Sequence, residues 1–212
     1  MSLAGSAGVD YVVGSVATAE WCRRLVEETR RRLGPIEVLV NNAGIDTGLE
    51  RPIWEQDPGV WRETLSVNLD APFELTRLAV PDMISGGWGR IVMVSSTAGN
   101  LGGSSMSAYC ASKHGLVGLM RAVAHDVAAH GITCNAVAPG WVRTPLAERT
   151  ADEEATTRGV TVDQVWAERA ASYPAGRVVE PEEVASAIAF LASEEAGAIN
   201  GETLTIALGG LW

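Results

Sequence analysis

Short apolar runs of strand length alternate along this chain with longer stretches in which apolar positions recur at helical spacing. Gly34-Pro35 ends one amphipathic stretch, and Asp57-Pro58 begins another with a capping side chain followed by proline. The pattern predicts strands over residues 9–16, 36–40, 90–95, 132–138 and 203–207. It predicts helices over residues 18–33, 57–85, 104–130, 161–172 and 181–193.

Strands separated by helices favour parallel pairing, and therefore an α/β fold with a doubly wound, Rossmann-like sheet in one domain spanning residues 1–212. In such sheets ligands bind at the carboxyl ends of the strands. Loops rich in glycine and small polar residues follow three of the predicted strands, at residues 41–44, 95–99 and 139–140. We therefore expect these three loops to outline one binding crevice.

Composition and charge narrow the class of ligand. The net charge of -10 disfavours nucleic acid, because the phosphates would be repelled. No stretch approaches the ~20 apolar residues of a membrane span, and no basic region precedes an apolar one at the start, so neither a membrane nor export is expected. The three cysteines lack metal-ligand spacing, which predicts reduced thiols in a cytoplasm and no metal site. A small-molecule ligand is therefore the expectation.

Lys113 is the only lysine among the 16 cationic residues, and it lies four residues after Tyr109. An ammonium is a compact donor whose pKa can shift, whereas a guanidinium is a planar fork that stays charged. On a helix the two side chains would share one face, where the lysine would lower the pKa of the tyrosine from its usual value near ~10. The alternative is an exposed pair without chemistry.

Two further residues have a physical argument of their own. Ser96 follows a predicted strand, so its hydroxyl should lie near Tyr109 at the same edge of the sheet and help to hold one substrate oxygen, unless it only caps the loop. Asn68 lies four residues before Pro72, which has no N–H. The helix should bend there and leave the Asn68 carbonyl free to hold a water, or merely kink.

These residues stand in an order and spacing that resemble a classical short-chain dehydrogenase/reductase. The matching motifs are Asn41-Asn-Ala-Gly44, Asn68 in Ser-Val-Asn-Leu, Ser96, Tyr109-x-x-x-Lys113 and Pro139-Gly140-Trp-Val-Arg-Thr144. The resemblance implies hydride transfer between NAD or NADP and a carbonyl or secondary-alcohol substrate. Within the family the chain is most similar to 3-oxoacyl carrier-protein reductases and polyketide ketoreductases, and hydroxybutyrate-type dehydrogenases are also near.

The resemblance also implies roles for single residues. Tyr109 would be the acid or base, Ser96 would hydrogen-bond the substrate oxygen, Lys113 would bind the nicotinamide ribose and Asn68 would hold a relay water. The remaining cofactor-binding candidates, on the adenosine side and at the carboxamide of the nicotinamide, are Asn42, Ala43, Gly44, Pro139, Gly140, Val142 and Thr144. Residues 145–180 would contain a substrate lid, in which Trp166 and Tyr173 could contact an acyl chain or simply pack. The long helices from Asp57 and Ser105 resemble those that pair family members, so a homodimer or homotetramer is expected.

The chain departs from the family pattern at its start, which lies near the family's third strand. The glycine-rich turn that holds the pyrophosphate is not found, and Gly5-Ser-Ala-Gly8 does not replace it because no strand precedes it. The expected sheet therefore has a gap, and the favoured explanation is a domain truncated at its N-terminus in this sequence. The alternatives are direct pairing of residues 9–16 with residues 36–40, or closure by a neighbouring subunit. Two alternatives to a working oxidoreductase follow: an NAD-free relative of the halohydrin dehalogenase kind, or a binding or scaffold protein.

Overall fold

A computed structural model of the chain describes residues 10–47 and 51–210. Its sheet has four strands, all parallel, in the spatial order β1-β2-β3-β4. The strands are β1 (Val38–Asn41), β2 (Gly89–Val94), β3 (Ile132–Pro139) and β4 (Thr203–Ile206). The α-helices are α1 (Ala19–Leu33), α2 (Pro58–Leu65), α3 (Ala71–Gly86), α4 (Ser107–Val127), α5 (Pro145–Arg158), α6 (Val162–Ala171) and α7 (Pro181–Leu191).

The central strand β2 shows why helices must cover both faces of the sheet. All six of its residues are apolar, glycine or arginine, and alternate side chains point to opposite faces. Ile91 and Met93 pack in the cluster formed with α3 and α4, whereas Val92 packs with Val184 and Leu191 of α7. A strand that is buried on both faces belongs to a parallel α/β sheet. The predicted doubly wound, Rossmann-like fold is confirmed.

The strand predicted over residues 9–16 is wrong for residues 10–16, which form no strand; Val9 lies outside the described residues. Tyr11 and Val13 are 66% and 82% exposed, so no sheet face buries them. The Trp21 indole of α1 lies directly against Gly14. The alternative in which this segment pairs with residues 36–40 is therefore not formed by residues 10–16. In the part of the chain that the structure describes, β1 is an edge strand.

The helix predicted over residues 57–85 is divided into α2 and α3 by a π-helical turn, Ser66–Asp70. The Asp57 carboxylate caps α2 by accepting from Gly59 N at 2.7 Å. At the other end of the turn, Ala71 N donates to the Ser66 carbonyl, one residue further back than in an α-helix. Pro72 has no backbone N–H to donate, and the wider π-helical turn accommodates this missing hydrogen bond. Asn68 lies within the turn.

Helix α5 was not predicted, although its sequence carries a start signal. Thr144 Oγ1 accepts from Ala147 N at 3.3 Å, and proline stands in the first turn. The helix buries only alanines, Ala147, Ala151 and Ala155, so it lacks the stripe of large apolar residues that periodicity detects. Among the helices of the described residues, none is long and apolar enough to cross a membrane.

Candidate active site

A cavity of about 850 Å³ lies at the carboxyl ends of the parallel strands. The three predicted rim loops meet there, because parallel strands all end at the same edge of the sheet. Of the predicted site residues, those that line the cavity are Asn42, Gly44, Ser96, Tyr109, Lys113, Pro139, Gly140, Val142 and Thr144. Ala43 is not among the lining residues, and Asn68 lies buried behind them.

Ser96 and Tyr109 are brought together at the start of α4. Ser96 follows β2 and caps a short 3-10 turn, where its Oγ accepts from Ala98 N at 3.2 Å. The Ser96 side chain also hydrogen-bonds the Tyr109 hydroxyl. Its backbone is therefore held while its hydroxyl faces the tyrosine, so both hydroxyls can contact one substrate oxygen.

Lys113 is buried one helical turn further along α4, with 4% of its surface exposed. Its Nζ donates to the Val94 carbonyl at 2.9 Å and lies 5.6 Å from the centroid of the Tyr109 ring. Burial lowers the pKa of Lys113 from 10.5 to about 8, and the nearby Asp46 carboxylate opposes that shift. The alternative of an exposed Tyr109–Lys113 pair is therefore not what the structure shows, because Lys113 is buried.

The predicted lowering of the Tyr109 pKa is wrong for this arrangement. Burial raises the pKa of Tyr109 to about 12; the hydrogen bond from Ser96 lowers it, while the negative charge of Asp46 raises it further. The ammonium of Lys113 bonds a backbone carbonyl instead of the phenol oxygen. Tyr109 is therefore protonated at neutral pH and is placed to donate a hydrogen bond or a proton.

The lowered pKa of Lys113 predicts how stability varies with pH. Between about pH 8 and the ordinary value of 10.5 the unfolded chain binds the proton that the folded protein has lost, so the free energy of unfolding rises with pH. Relative to Lys113→Met, the wild type should gain roughly 1 to 2 kcal/mol between about pH 7 and about pH 9.5. Urea denaturation of both proteins at the two pH values measures this. A constant difference would mean that Lys113 does not titrate there.

Asn68 holds the first rim loop with its side chain. Its Oδ1 accepts from Ile45 N at 2.8 Å, and its Nδ2 donates to the Ile45 carbonyl at 2.9 Å and to Ser112 Oγ at 3.1 Å. A Cβ on Gly44 would lie 3.4 Å from Lys113 Nζ and 3.5 Å from Asn68 Oδ1. Glycine therefore lets this loop approach the lysine closely while asparagine fixes its path.

The third rim loop is fixed by Tyr173, whose hydroxyl oxygen accepts from Trp141 N at 2.6 Å. A Cβ on Gly140 would lie 2.1 Å from that hydroxyl oxygen. Thr144 ends the loop, donating to the Val142 carbonyl at 3.5 Å while it caps α5. Only a glycine at position 140 leaves room for the tyrosine that holds the loop.

We therefore expect Gly140→Ala to displace the Tyr173 hydroxyl and leave Trp141 N without its acceptor. That hydrogen bond is partly buried, so its loss should cost on the order of 1 kcal/mol, and the unfolding midpoint should fall by about 2–4 °C. Gly102→Ala is the matched control, because its Cβ would meet nothing within 4 Å. Thermal unfolding of both variants measures the difference, and equal midpoints would contradict the role given to Gly140.

The sequence did not reveal two features of this site. Asp46 lines the cavity beside Tyr109, and the only available signal was its acidic side chain in a rim loop.

The guanidinium of Arg169 lies over the rings of Trp141 and Trp166, at 3.8 and 5.0 Å from their centroids. Arg169 also donates to the Ala147 carbonyl at 3.0 Å, so it joins α5, α6 and the third rim loop. Such a stack connects distant residues, and no local pattern reports it.

The predicted lid residues divide into two kinds. Tyr173 lines the cavity, whereas Trp166 is not among the lining residues; its ring is buried and its Nε1 donates to Glu148 Oε2 at 3.1 Å. The other cavity residues from this region are Leu146, Ala147, Thr150 and Ser172. Trp166 is therefore a packing residue, and Tyr173 both packs and faces the cavity.

Comparison with known proteins assigns the family. A family model described as "Enoyl-(Acyl carrier protein) reductase" matches residues 1–210, nearly the whole chain. The chain belongs to the short-chain dehydrogenase/reductase family. It is accordingly an NAD(P)-dependent oxidoreductase that acts on hydroxyl or keto groups. The sequence-based assignment to this family is confirmed.

Curated relatives agree with this assignment. D-beta-hydroxybutyrate dehydrogenase of Cupriavidus necator is 36% identical over 194 residues, covering 91% of this chain and 74% of that protein. The 3-oxoacyl-[acyl-carrier-protein] reductase of Haemophilus influenzae is 36% identical over 203 residues, covering 95% and 77%. The chain thus spans about three quarters of the length of these short-chain dehydrogenase/reductases.

Solved structures of the family have the same fold. Ligand-free aldohexose dehydrogenase of Thermoplasma acidophilum is 34% identical with a TM-score of 0.89, covering 97% of this chain and 79% of that one. A putative NAD(P)-dependent gluconate 5-dehydrogenase of Beutenbergia cavernae, solved with NADP at low occupancy, is 39% identical with a TM-score of 0.82, covering 94% and 76%.

The rim fits the family's nicotinamide cofactor. The absence of a Cβ at Gly44 keeps the backbone beside Lys113 Nζ open, and a buried ammonium there can donate to ribose hydroxyls. Val142 and Thr144 also line the cavity and supply backbone groups and a hydroxyl. Use of NAD or NADP, as expected from the sequence, is confirmed at the level of the family.

Proposed function

We propose that this protein interconverts a ketone and a secondary alcohol, with Tyr109 transferring the proton. The observation that carries the proposal is the hydrogen bond between Ser96 and a buried, protonated Tyr109 in the cavity that Lys113 lines. The bound nicotinamide cofactor supplies or accepts the hydride. Ser96 and Tyr109 hold the substrate oxygen, and Tyr109 donates its proton to that oxygen as the carbonyl is reduced.

Lys113 and Asn68 would assist this proton transfer by holding the cofactor and a water. With Nζ fixed by the Val94 carbonyl, the remaining ammonium protons of Lys113 can bind the nicotinamide ribose. Asn68 lies between the first rim loop and α4, where it would hold a water that returns a proton through the lysine. Asn42, Ala43 and Gly44 would lie along the adenosine side, and Pro139, Gly140, Val142 and Thr144 along the nicotinamide.

Residues 145–180 are proposed as the substrate lid. Helices α5 and α6 belong to one apolar cluster together with Tyr173, and this cluster covers one side of the cavity. The cavity wall as a whole is mainly apolar, which suits the carbon chain of a 3-oxoacyl or polyketide-type substrate. A cytoplasmic homodimer or homotetramer stays a prediction; exposed Trp61, Phe73 and Phe190 on three helices are compatible with contacts between subunits.

Transfer of deuterium tests the proposed function. Neutral 3-oxoacyl esters are reduced with NADH or NADPH deuterated at the transferred position, and the alcohol is analysed by mass spectrometry. We expect product carrying deuterium on the carbinol carbon with wild type, and its rate of formation to be at least about 10³-fold lower with Tyr109→Phe. Cofactor binding without any deuterated product would contradict the oxidoreductase function and favour a binding protein.

A further inference from the structure

The charged residues of the cavity wall indicate which substrate charge the site accepts, an inference that rests on the proposed function. Among the described residues that line the cavity, only Asp46 and Lys113 bear a charged side chain. Lys113 donates to the Val94 carbonyl and, in the proposed function, uses its remaining protons for the nicotinamide ribose. No arginine is among these lining residues, so they supply no second cation for a substrate carboxylate.

Asp46 lies beside Tyr109 on the wall of the cavity. A small cavity of about 20 Å³ adjoins the large one, and the residues common to both walls are Asp46, Met106 and Tyr109. Asp46 therefore lies on the partition beside the tyrosine, where the groups flanking the reacting carbon would pass. The carboxylate is close enough for its field to raise the pKa values of both Tyr109 and Lys113.

The backbone around Asp46 is fixed on both sides. The amide and carbonyl of Ile45 are bound by the Asn68 side chain at 2.8 and 2.9 Å. The carbonyl of Asp46 itself accepts from Arg149 Nη2 at 2.9 Å. Arg149 is exposed and is not a lining residue of the cavity, so it anchors the loop from outside. The backbone that carries the Asp46 carboxylate is thus held in place by these hydrogen bonds.

We propose that Asp46 determines the charge of the substrate, making this a site for neutral ketones and secondary alcohols, such as esters and thioesters, and excluding those with a carboxylate beside the reacting carbon. Two like charges some 6 Å apart in a partly hydrated site repel enough to change binding about tenfold. A free 3-hydroxy acid would place its carboxylate against Asp46 with no lining arginine to offset it. Its ester has the same carbon skeleton without the charge.

Matched substrate pairs test this assignment. Oxidation of 3-hydroxybutyrate and 3-hydroxyhexanoate is compared with oxidation of their methyl esters by following cofactor absorbance. For wild type we expect kcat/KM to be at least about tenfold higher for each ester than for its acid. Asp46→Asn should narrow that ratio about tenfold. Because the field of Asp46 also acts on Tyr109 and Lys113, the rates for acids and esters can shift together, so the ratio of the two kcat/KM values is the readout.

Asp126→Asn is the control for the change in net charge. Asp126 is exposed on α4, 17 residues beyond Tyr109, which is roughly 25 Å along the helix. It should leave the ester-to-acid ratio at the wild-type value. Wild type that oxidises acids as well as esters, or a ratio unchanged in Asp46→Asn, overturns the assignment while the proposed function stands. Wild type that oxidises none of the four compounds contradicts the proposed function, and the inference falls with it.

Discussion

Tyr109→Phe is expected to lower kcat by at least about 10³-fold while leaving cofactor binding nearly unchanged. The substitution removes one oxygen and keeps the ring that lies 5.6 Å from Lys113 Nζ. That oxygen is the partner of Ser96 and, in the proposed function, passes its proton to the substrate oxygen. Steady-state kinetics with a neutral ketone and a fluorescence titration with cofactor measure the two effects separately.

Tyr11→Phe provides the control, because Tyr11 is 66% exposed and lies outside the cavity. Its kcat should equal that of wild type. A Tyr109→Phe protein that keeps more than about a tenth of the wild-type kcat would show that another group, or a water, donates the proton. Loss of cofactor binding in parallel with kcat would show instead that the ring, and not the hydroxyl, had been disturbed.

Lys113→Arg is expected to lower turnover by at least about 10²-fold although the charge is kept. The ammonium fits between the Val94 carbonyl, at 2.9 Å, and the space above Gly44, where even a Cβ would approach Nζ to 3.4 Å. A guanidinium is larger and planar, so it would push the first rim loop away and lose the contact with Val94. Both effects remove the surface on which the ribose would bind.

Arg121→Lys is the reciprocal control, since Arg121 is exposed on the same helix. It should leave kcat and the cofactor KM unchanged. In Lys113→Arg we expect the cofactor KM to rise as kcat falls, because in the proposed function Lys113 both binds the cofactor and holds it in position. Near-normal kinetics in Lys113→Arg would refute the claim that a compact donor is needed at this position.

Much of the fold could be predicted because its signals are local. The runs that became β2, β3 and β4 are apolar or β-branched and bounded by glycine or polar residues, and their predicted limits agree with the structure to within a residue or so. The segment at 9–16 is similar in composition, yet residues 10–16 form no strand and do not pair with the edge strand β1. Strand formation depends on pairing with a neighbouring strand, and amino-acid composition does not show whether that pairing occurs.

The candidate site was predictable where spacing along one element fixes geometry. Tyr109 and Lys113 share a face of α4, and Ser96 lies at the neighbouring strand end, so their convergence follows from the topology. The Tyr109 pKa was mispredicted because it depends on burial and on the bond that Lys113 makes elsewhere. The stack of Arg169 on Trp141 joins residues 28 positions apart, and no local pattern anticipates that.

Titration of the purified chain with NADH and NADPH tests most directly whether the three rim loops bind a nicotinamide cofactor. Wild type should bind at least one of them saturably, and Gly44→Val should weaken that binding at least about tenfold by filling the space beside Lys113 Nζ. Gly102→Val, where a Cβ meets nothing within 4 Å, should bind as wild type does. No saturable binding of either cofactor by wild type, or equal binding by Gly44→Val, would contradict the assignment.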